Sequence, residues 1–148
     1  MKFFVDTSAL VKLFQEEIGS RIVEDIINDN NNDLWILDLS KIEFYSCIFR
    51  RYRQKEITAN ELDIIINAFN EQISLFNIEF LGPSILYEAE KLMMEYGKIQ
   101  GLRALDSLQL GACKLLHESP GCMFLCADQR LCDIAGLCNI DCINPAKS

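Results

Sequence analysis

The sequence predicts a three-layer α/β/α domain built on a parallel sheet of about five strands. Three observations predict it. Short apolar runs recur along the chain and are continuous rather than alternating, as strands covered on both faces are. Helical stripes separate those runs, and strand–helix alternation favours a parallel sheet with crossover helices. No internal repeat and no Pro/Gly/Ser-rich linker divides the 148 residues, so residues 1–148 read as one domain.

In chain order, Phe3 to Val5 is the first strand and runs directly into Asp6-Thr7-Ser8. The polar stretch Asn28 to Asp33 reads as a turn between a helix and the second strand, Leu34 to Leu37. Ile42, Tyr45, Phe49 and Tyr52 then recur at helical spacing and mark a core-facing stripe. Ser40, three residues before Glu43, matches a capping box that would open this helix. Leu62, Ile65, Phe69, Ile73 and Phe76 form a second stripe, followed by a strand at Ile78 to Leu81. Two further helices carry Leu86, Ala89, Leu92 and Tyr96, then Leu105, Leu108, Ala112 and Leu115. Met123 to Cys126 and Ile140 to Ile143 complete the strands.

Bulk properties narrow the classes. A formal net charge of −8 argues against a protein that coats nucleic acid with a basic surface. It leaves room for an enzyme whose acids cluster around a metal. No apolar run approaches the ~18 residues a spanning helix needs, and the N-terminal stretch turns acidic at Asp6, so the cytoplasm is the expected address with no membrane contact. The cysteines number seven, and six of them follow residue 112. Their spacings include no C-x2-C pair, so they read as buried thiols used as small apolar side chains in a reducing compartment.

In open parallel sheets, functional groups gather beyond the carboxyl ends of the strands. Asp6 ends the first strand, and Asp128 follows the fourth by two residues. Glu43 and Asp106 are each expected in the first turn of a helix, one residue after core positions Ile42 and Leu105. Taken singly, each acid has an ordinary structural explanation as a cap or first-turn charge. Taken together, Asp6, Glu43, Asp106 and Asp128 can face one cleft. Four carboxylates there would repel unless a hard, oxygen-preferring cation such as Mg²⁺ or Mn²⁺ joined them. The single histidine, His117, falls late in a helix and reads as a helix-end residue.

The stretches around the acids resemble the PIN-domain family, in particular the VapC-like toxin ribonucleases of toxin–antitoxin pairs. Phe4-Val5-Asp6-Thr7-Ser8-Ala9-Leu10-Val11 looks like the first family motif and Leu39-Ser40-Lys41-Ile42-Glu43 like the second. Leu102 to Ala112, around Asp106, resembles the third, and Phe124 to Leu131, around Asp128, the fourth. The resemblance implies a doubly wound fold with strand order 3-2-1-4-5 and metal-dependent hydrolysis of RNA by one or two ions. Asp6, Glu43 and Asp106 match the core ligands, Asp128 completes the site or holds a second ion, and Ser8 matches the motif serine that supports the first aspartate or a metal-bound water. One departure is Cys126, where the family commonly carries threonine.

The resemblance also implies a small antitoxin partner and a homodimer. RNA contact would come from Arg50, Arg51 and Arg53 on the Glu43 helix, and from Arg103 beside Asp106. A catalytically silent PIN-like module that binds RNA or protein is the alternative. A haloacid-dehalogenase-type phosphatase is disfavoured, because Ser8 stands where its second aspartate is needed.

Overall fold

The computed structural model describes residues 1–117 and 121–147. Five parallel strands, β1 (Lys2–Val5), β2 (Asp33–Leu37), β3 (Asn77–Glu79), β4 (Cys122–Leu125) and β5 (Cys142–Ile143), form one sheet in the order β3-β2-β1-β4-β5. Seven α-helices connect them among the described residues: α1 (Thr7–Leu10), α2 (Ser20–Asn28), α3 (Leu39–Arg53), α4 (Ala59–Gln72), α5 (Pro83–Tyr96), α6 (Ala104–His117) and α7 (Gln129–Leu137). The expected class and order are therefore realised. No helix among the described residues is long and apolar enough to cross a membrane.

Alternation along β1 explains the layering. Phe4 points into a core shared with α5, α6 and α7, while Phe3 and Val5 point into one shared with α1, α2, α3 and α4. In the second core Phe44 stacks on Phe69 at 3.9 Å between ring centres, and Phe14 meets both edge-on. On the opposite face α5 and α6 approach closely at Gly111. A Cβ there would lie 3.3 Å from the Ala89 backbone nitrogen. The chain leaves β1 toward β2 and β3, then returns to the other side of β1 as β4. The strand order thus reverses between β1 and β4, which opens a crevice at their carboxyl ends.

Three expectations need correction. The Ile42 stripe of α3 does not face the sheet: Ile42 is 69% exposed, and Ser40, Phe44 and Ile48 are buried instead. Leu86 and Leu105 are likewise on the surface, with Ile85 and Leu110 buried in their place. These helices carry two adjoining apolar tracks, and periodicity does not say which of them meets the sheet. The capping box at Ser40 does not form. Asp38 is the N-cap, accepting from the Leu39 backbone N–H, and Ser40 lies buried within the first turn. Finally, Cys132 and Cys142 form a disulfide between α7 and β5, so these two are not free thiols. The other five are free, with Cys113, Cys122 and Cys126 buried as expected. The α7–β5 return brings the pair together, a proximity that linear spacing does not reveal.

Candidate active site

The crevice is built from four chain segments that end at the same edge of the sheet. Asp6 leaves β1 as the N-cap of α1, and Asp128 leaves β4 as the N-cap of α7. Both acids therefore cap helices and also border the cleft, so the structural and functional explanations coexist. Asp106 sits in the first turn of α6, as expected. Glu43 lies in the second turn of α3 rather than the first, at the edge of the buried face formed by Ser40 and Phe44. All four acids line one cleft of about 460 Å³, together with Thr7, Ser8, Lys12, Glu17, Arg50, Arg51 and Arg103.

Burial governs the electrostatics. Asp6 is only 5% exposed, and its desolvation pushes its carboxyl above the usual range. The Asp106 charge raises it further, while hydrogen bonds from Ser8 oppose the rise. Glu43 is raised for the same first reason, with Asp6 and Asp106 adding repulsion and Gln109 and Thr7 opposing it. These acids therefore resist ionising together unless a cation joins them.

Each inner acid is held by one oxygen. Asp6 Oδ2 accepts from Ser8 N at 2.9 Å and Ser8 Oγ at 2.5 Å, and Ser8 Oγ in turn accepts from Ala127 N at 3.0 Å. Ser8 thus ties β1's carboxyl end to the segment after β4. Glu43 Oε1 accepts from Gln109 Nε2 at 2.7 Å and Thr7 Oγ1 at 3.1 Å. Gln109 is fully buried and also donates to Ser40 Oγ at 2.9 Å. Its amide hydrogens are shared among Glu43, Ser40 and, at a longer 3.3 Å, Thr7 Oγ1, while its buried Oε1 has no partner among the described residues. Turning the amide over would set that oxygen against the Glu43 carboxylate, so the strain is accepted to keep Glu43 in place. Gln109 and Thr7 are site-building residues that sequence reasoning did not single out. Both lay inside quoted motifs, and the only available signal was a polar residue among the apolar positions of α6.

Among the described residues, partners on Oδ2 of Asp6 and Oε1 of Glu43 leave Asp6 Oδ1 and Glu43 Oε2 without hydrogen bonds, and Asp106 Oδ1 is similarly clear. An all-oxygen donor set with raised pKa values suits a hard divalent cation. As the side chains stand, no three ligating groups among the described residues already converge on one point. Arg103 explains part of this. It donates from Nε to Asp106 Oδ2 at 2.7 Å and from an Nη to Asp128 Oδ2 at 2.8 Å.

The basic residues divide. Arg50 lines the cleft and is exposed, as a substrate-facing cation would be. Arg51 also lines it but is ion-paired with Glu17, which Lys12 holds at 3.0 Å from the other side. Burial works to raise the Glu17 carboxyl, yet these two cations bring it below the usual range. Arg53 is exposed in the last turn of α3 and does not line the cleft. Cys126, in place of the usual threonine, is buried with Sγ 3.7 Å from Asp6 Oδ2 and 3.4 Å from Asp128 N. His117 contacts the Cys122 carbonyl at the far end of α6, away from the cleft.

Comparison with known proteins follows the same lines. No curated protein matches the chain in sequence. In three dimensions it is similar to FitAcB from Neisseria gonorrhoeae, with a TM-score of 0.72 and 12% identity over 99% of both chains. It is also similar to VapBC2 from Rickettsia felis bound to a DNA fragment from their promoter, with a TM-score of 0.67, 12% identity and 97% and 98% coverage. PAE2754 from Pyrobaculum aerophilum matches with a TM-score of 0.63 and 20% identity, over 90% of this chain and 84% of that one. At these identities the likeness establishes the fold. The PIN domain model matches residues 3–137, nearly the whole chain, and the protein belongs to the PIN domain family.

Proposed function

We propose that this chain is a divalent-metal-dependent endoribonuclease, the toxin of a VapC-like toxin–antitoxin pair. The observation that carries this reading is the convergence of Asp6, Glu43, Asp106 and Asp128 on one cleft at the strand-order reversal of a PIN domain. PIN domains are generally nucleases, and the similarity to VapBC and FitAcB proteins favours the toxin assignment.

Asp6, Glu43 and Asp106 would hold the first Mg²⁺ or Mn²⁺, each through the oxygen its hydrogen bonds leave clear, with Asp128 reserved for a second ion or for completing the site. When bound, such an ion supplies Lewis acidity at phosphorus and lowers the pKa of a bound water. Ser8 and Gln109 orient Asp6 and Glu43, so the ligands are positioned before substrate arrives. Arg50, which lines the cleft and is exposed, would track the RNA backbone toward the acids, and Arg103 borders the same cleft.

The toxin reading brings a small antitoxin partner, a homodimer and a cytoplasmic location. Co-expression with the product of a neighbouring small gene, followed by size exclusion, tests the first two. Monomer alone with no co-purifying protein would refute them. The function itself is tested by comparing wild type with Asp6→Asn on end-labelled RNA in Mg²⁺, in Mn²⁺ and in EDTA. Wild type should cleave only with metal, and the variant should not cleave. Cleavage that survives both the substitution and chelation would overturn the proposal, and wild type that binds RNA without cutting it would favour a silent module.

A further inference from the structure

Arg103 makes a contact that the nuclease reading leaves unexplained. Its guanidinium spans two acids on different elements, Asp106 on α6 and Asp128 at the start of α7. Asp106 and, through space, Asp128 and Asp6 hold the guanidinium more firmly charged than usual. The bridge takes up the last oxygen of Asp128, because Oδ1 of that residue already accepts the Leu131 backbone N–H that caps α7. Asp128 is therefore the one acid of the four with both oxygens committed. A cation approaching Asp128 therefore competes with the helix cap at Oδ1 or with the positive charge of Arg103 at Oδ2. The Arg103 side chain is 61% exposed, and among the described residues its polar partners are the two acids, so it yields more readily than the helix cap.

We propose that Arg103 is a built-in counter-cation that occupies the outer half of the acidic site and competes with the divalent ion for Asp106 and Asp128. The inference rests on the metal-nuclease reading and adds a regulatory element to it. In the metal-free protein the planar fork of Arg103 bridges the two outer acids and offsets one of their two negative charges, leaving Asp6 and Glu43 as the deep pair without a cationic partner among the described residues. Cation binding turns Arg103 out toward the cleft mouth. There its charge becomes free to meet a phosphate, so ion loading and substrate capture are coupled through one side chain. Arg103 acts here as a positioning residue, and the same contact restrains the site when divalent ions are scarce.

The test measures Mn²⁺ affinity by electron paramagnetic resonance or calorimetry, with no substrate present. Arg103→Gln should tighten binding roughly tenfold, because a cation adjacent to the ligands is removed. Arg103→Lys retains the charge but is too compact to bridge both carboxylates, and it should fall between the two. In an Asp128→Asn background the Arg103→Gln effect should shrink clearly, since one of the contested ligands is gone. Binding in Arg103→Gln that equals or is weaker than wild type would overturn the proposal. That failure is separable from failure of the underlying reading. If Asp6→Asn binds Mn²⁺ as wild type does, the site itself is misassigned, whereas a response to Asp6→Asn without one to Arg103→Gln sinks the counter-cation alone. No binding by any variant would overturn both. The exposure of Arg103 makes its variants safe for folding, and circular dichroism with matched Tm values verifies this.

Discussion

Replacing Asp6 by Asn should stabilise the metal-free protein while removing its capacity to bind metal. Asp6 is almost fully buried, and its carboxylate faces the charges of Glu43 and Asp106. At an effective permittivity of about 20, like charges several ångströms apart repel by roughly 2–3 kcal/mol, and the neighbouring Arg103 offsets part of that. Asn keeps the shape, still accepts the Ser8 hydrogen bonds and is an equally good N-cap for α1. A net gain of about 1–3 kcal/mol at pH 8 in EDTA is expected, or roughly 3–10 °C in Tm for a domain of this size. The sign with pH follows from linkage. A carboxyl raised in the folded state contributes stability that is fully present below its unfolded pKa, near 4, and lost as pH rises through its folded value. The gap between variant and wild type should therefore close in acid and open toward neutral and alkaline pH. Saturating Mn²⁺ should raise the Tm of wild type and leave that of the variant unchanged. Differential scanning calorimetry across pH reads all of this, and a variant less stable than wild type at pH 8 in EDTA would refute the reasoning.

Other consequences are as direct. Gln109→Met keeps the volume but removes the donor to Glu43, a charge-assisted bond of about 1.5–3 kcal/mol, so Mn²⁺ affinity at pH 7 should fall about tenfold and its acid limb should move to higher pH. An unchanged pH profile of binding would show that Gln109 does not hold the glutamate. Gly111→Ala should cost roughly 1–3 kcal/mol by urea denaturation, since the new methyl meets the α5 backbone at Ala89 and Ile85. No loss would mean that α5 and α6 separate freely. Glu88, buried and held below the usual carboxylate range chiefly by Lys114, should favour the fold above its unfolded pKa and lose that contribution as pH falls through its folded one. Lys114→Met should therefore lower Tm at pH 7 and flatten the acid side of the stability profile.

The site was more legible than the faces of its helices. Asp6 and Asp128 could be placed from their position just after apolar runs, because a parallel sheet delivers strand ends to one edge whatever the loops do. For Glu43 and Asp106 the placement at the cleft was right, while the argument from neighbouring core positions was not, since Ile42 and Leu105 are exposed. On α3 an apolar track at Ile42, Phe49 and Tyr52 adjoins the buried one at Phe44 and Ile48. Both satisfy helical periodicity, and only contact with the sheet selects between them.

Apolar runs, helical stripes and family-like motifs were enough for the fold class, the strand order and the four acids that line the cleft. These are properties of short segments: an apolar run, a stripe, an aspartate that ends a strand. Which groups answer those acids depends on long-range contacts that arise only on folding. Gln109 reaches Glu43 across 66 residues, Ser8 reaches Ala127 across 119, and Arg103 reaches Asp128 across 25. Desolvation behaves in the same way, because the cost of ionising Asp6 depends on everything packed around it. Four carboxylates can be read from the chain in sequence, but their charge state and counter-charges exist only once it is folded.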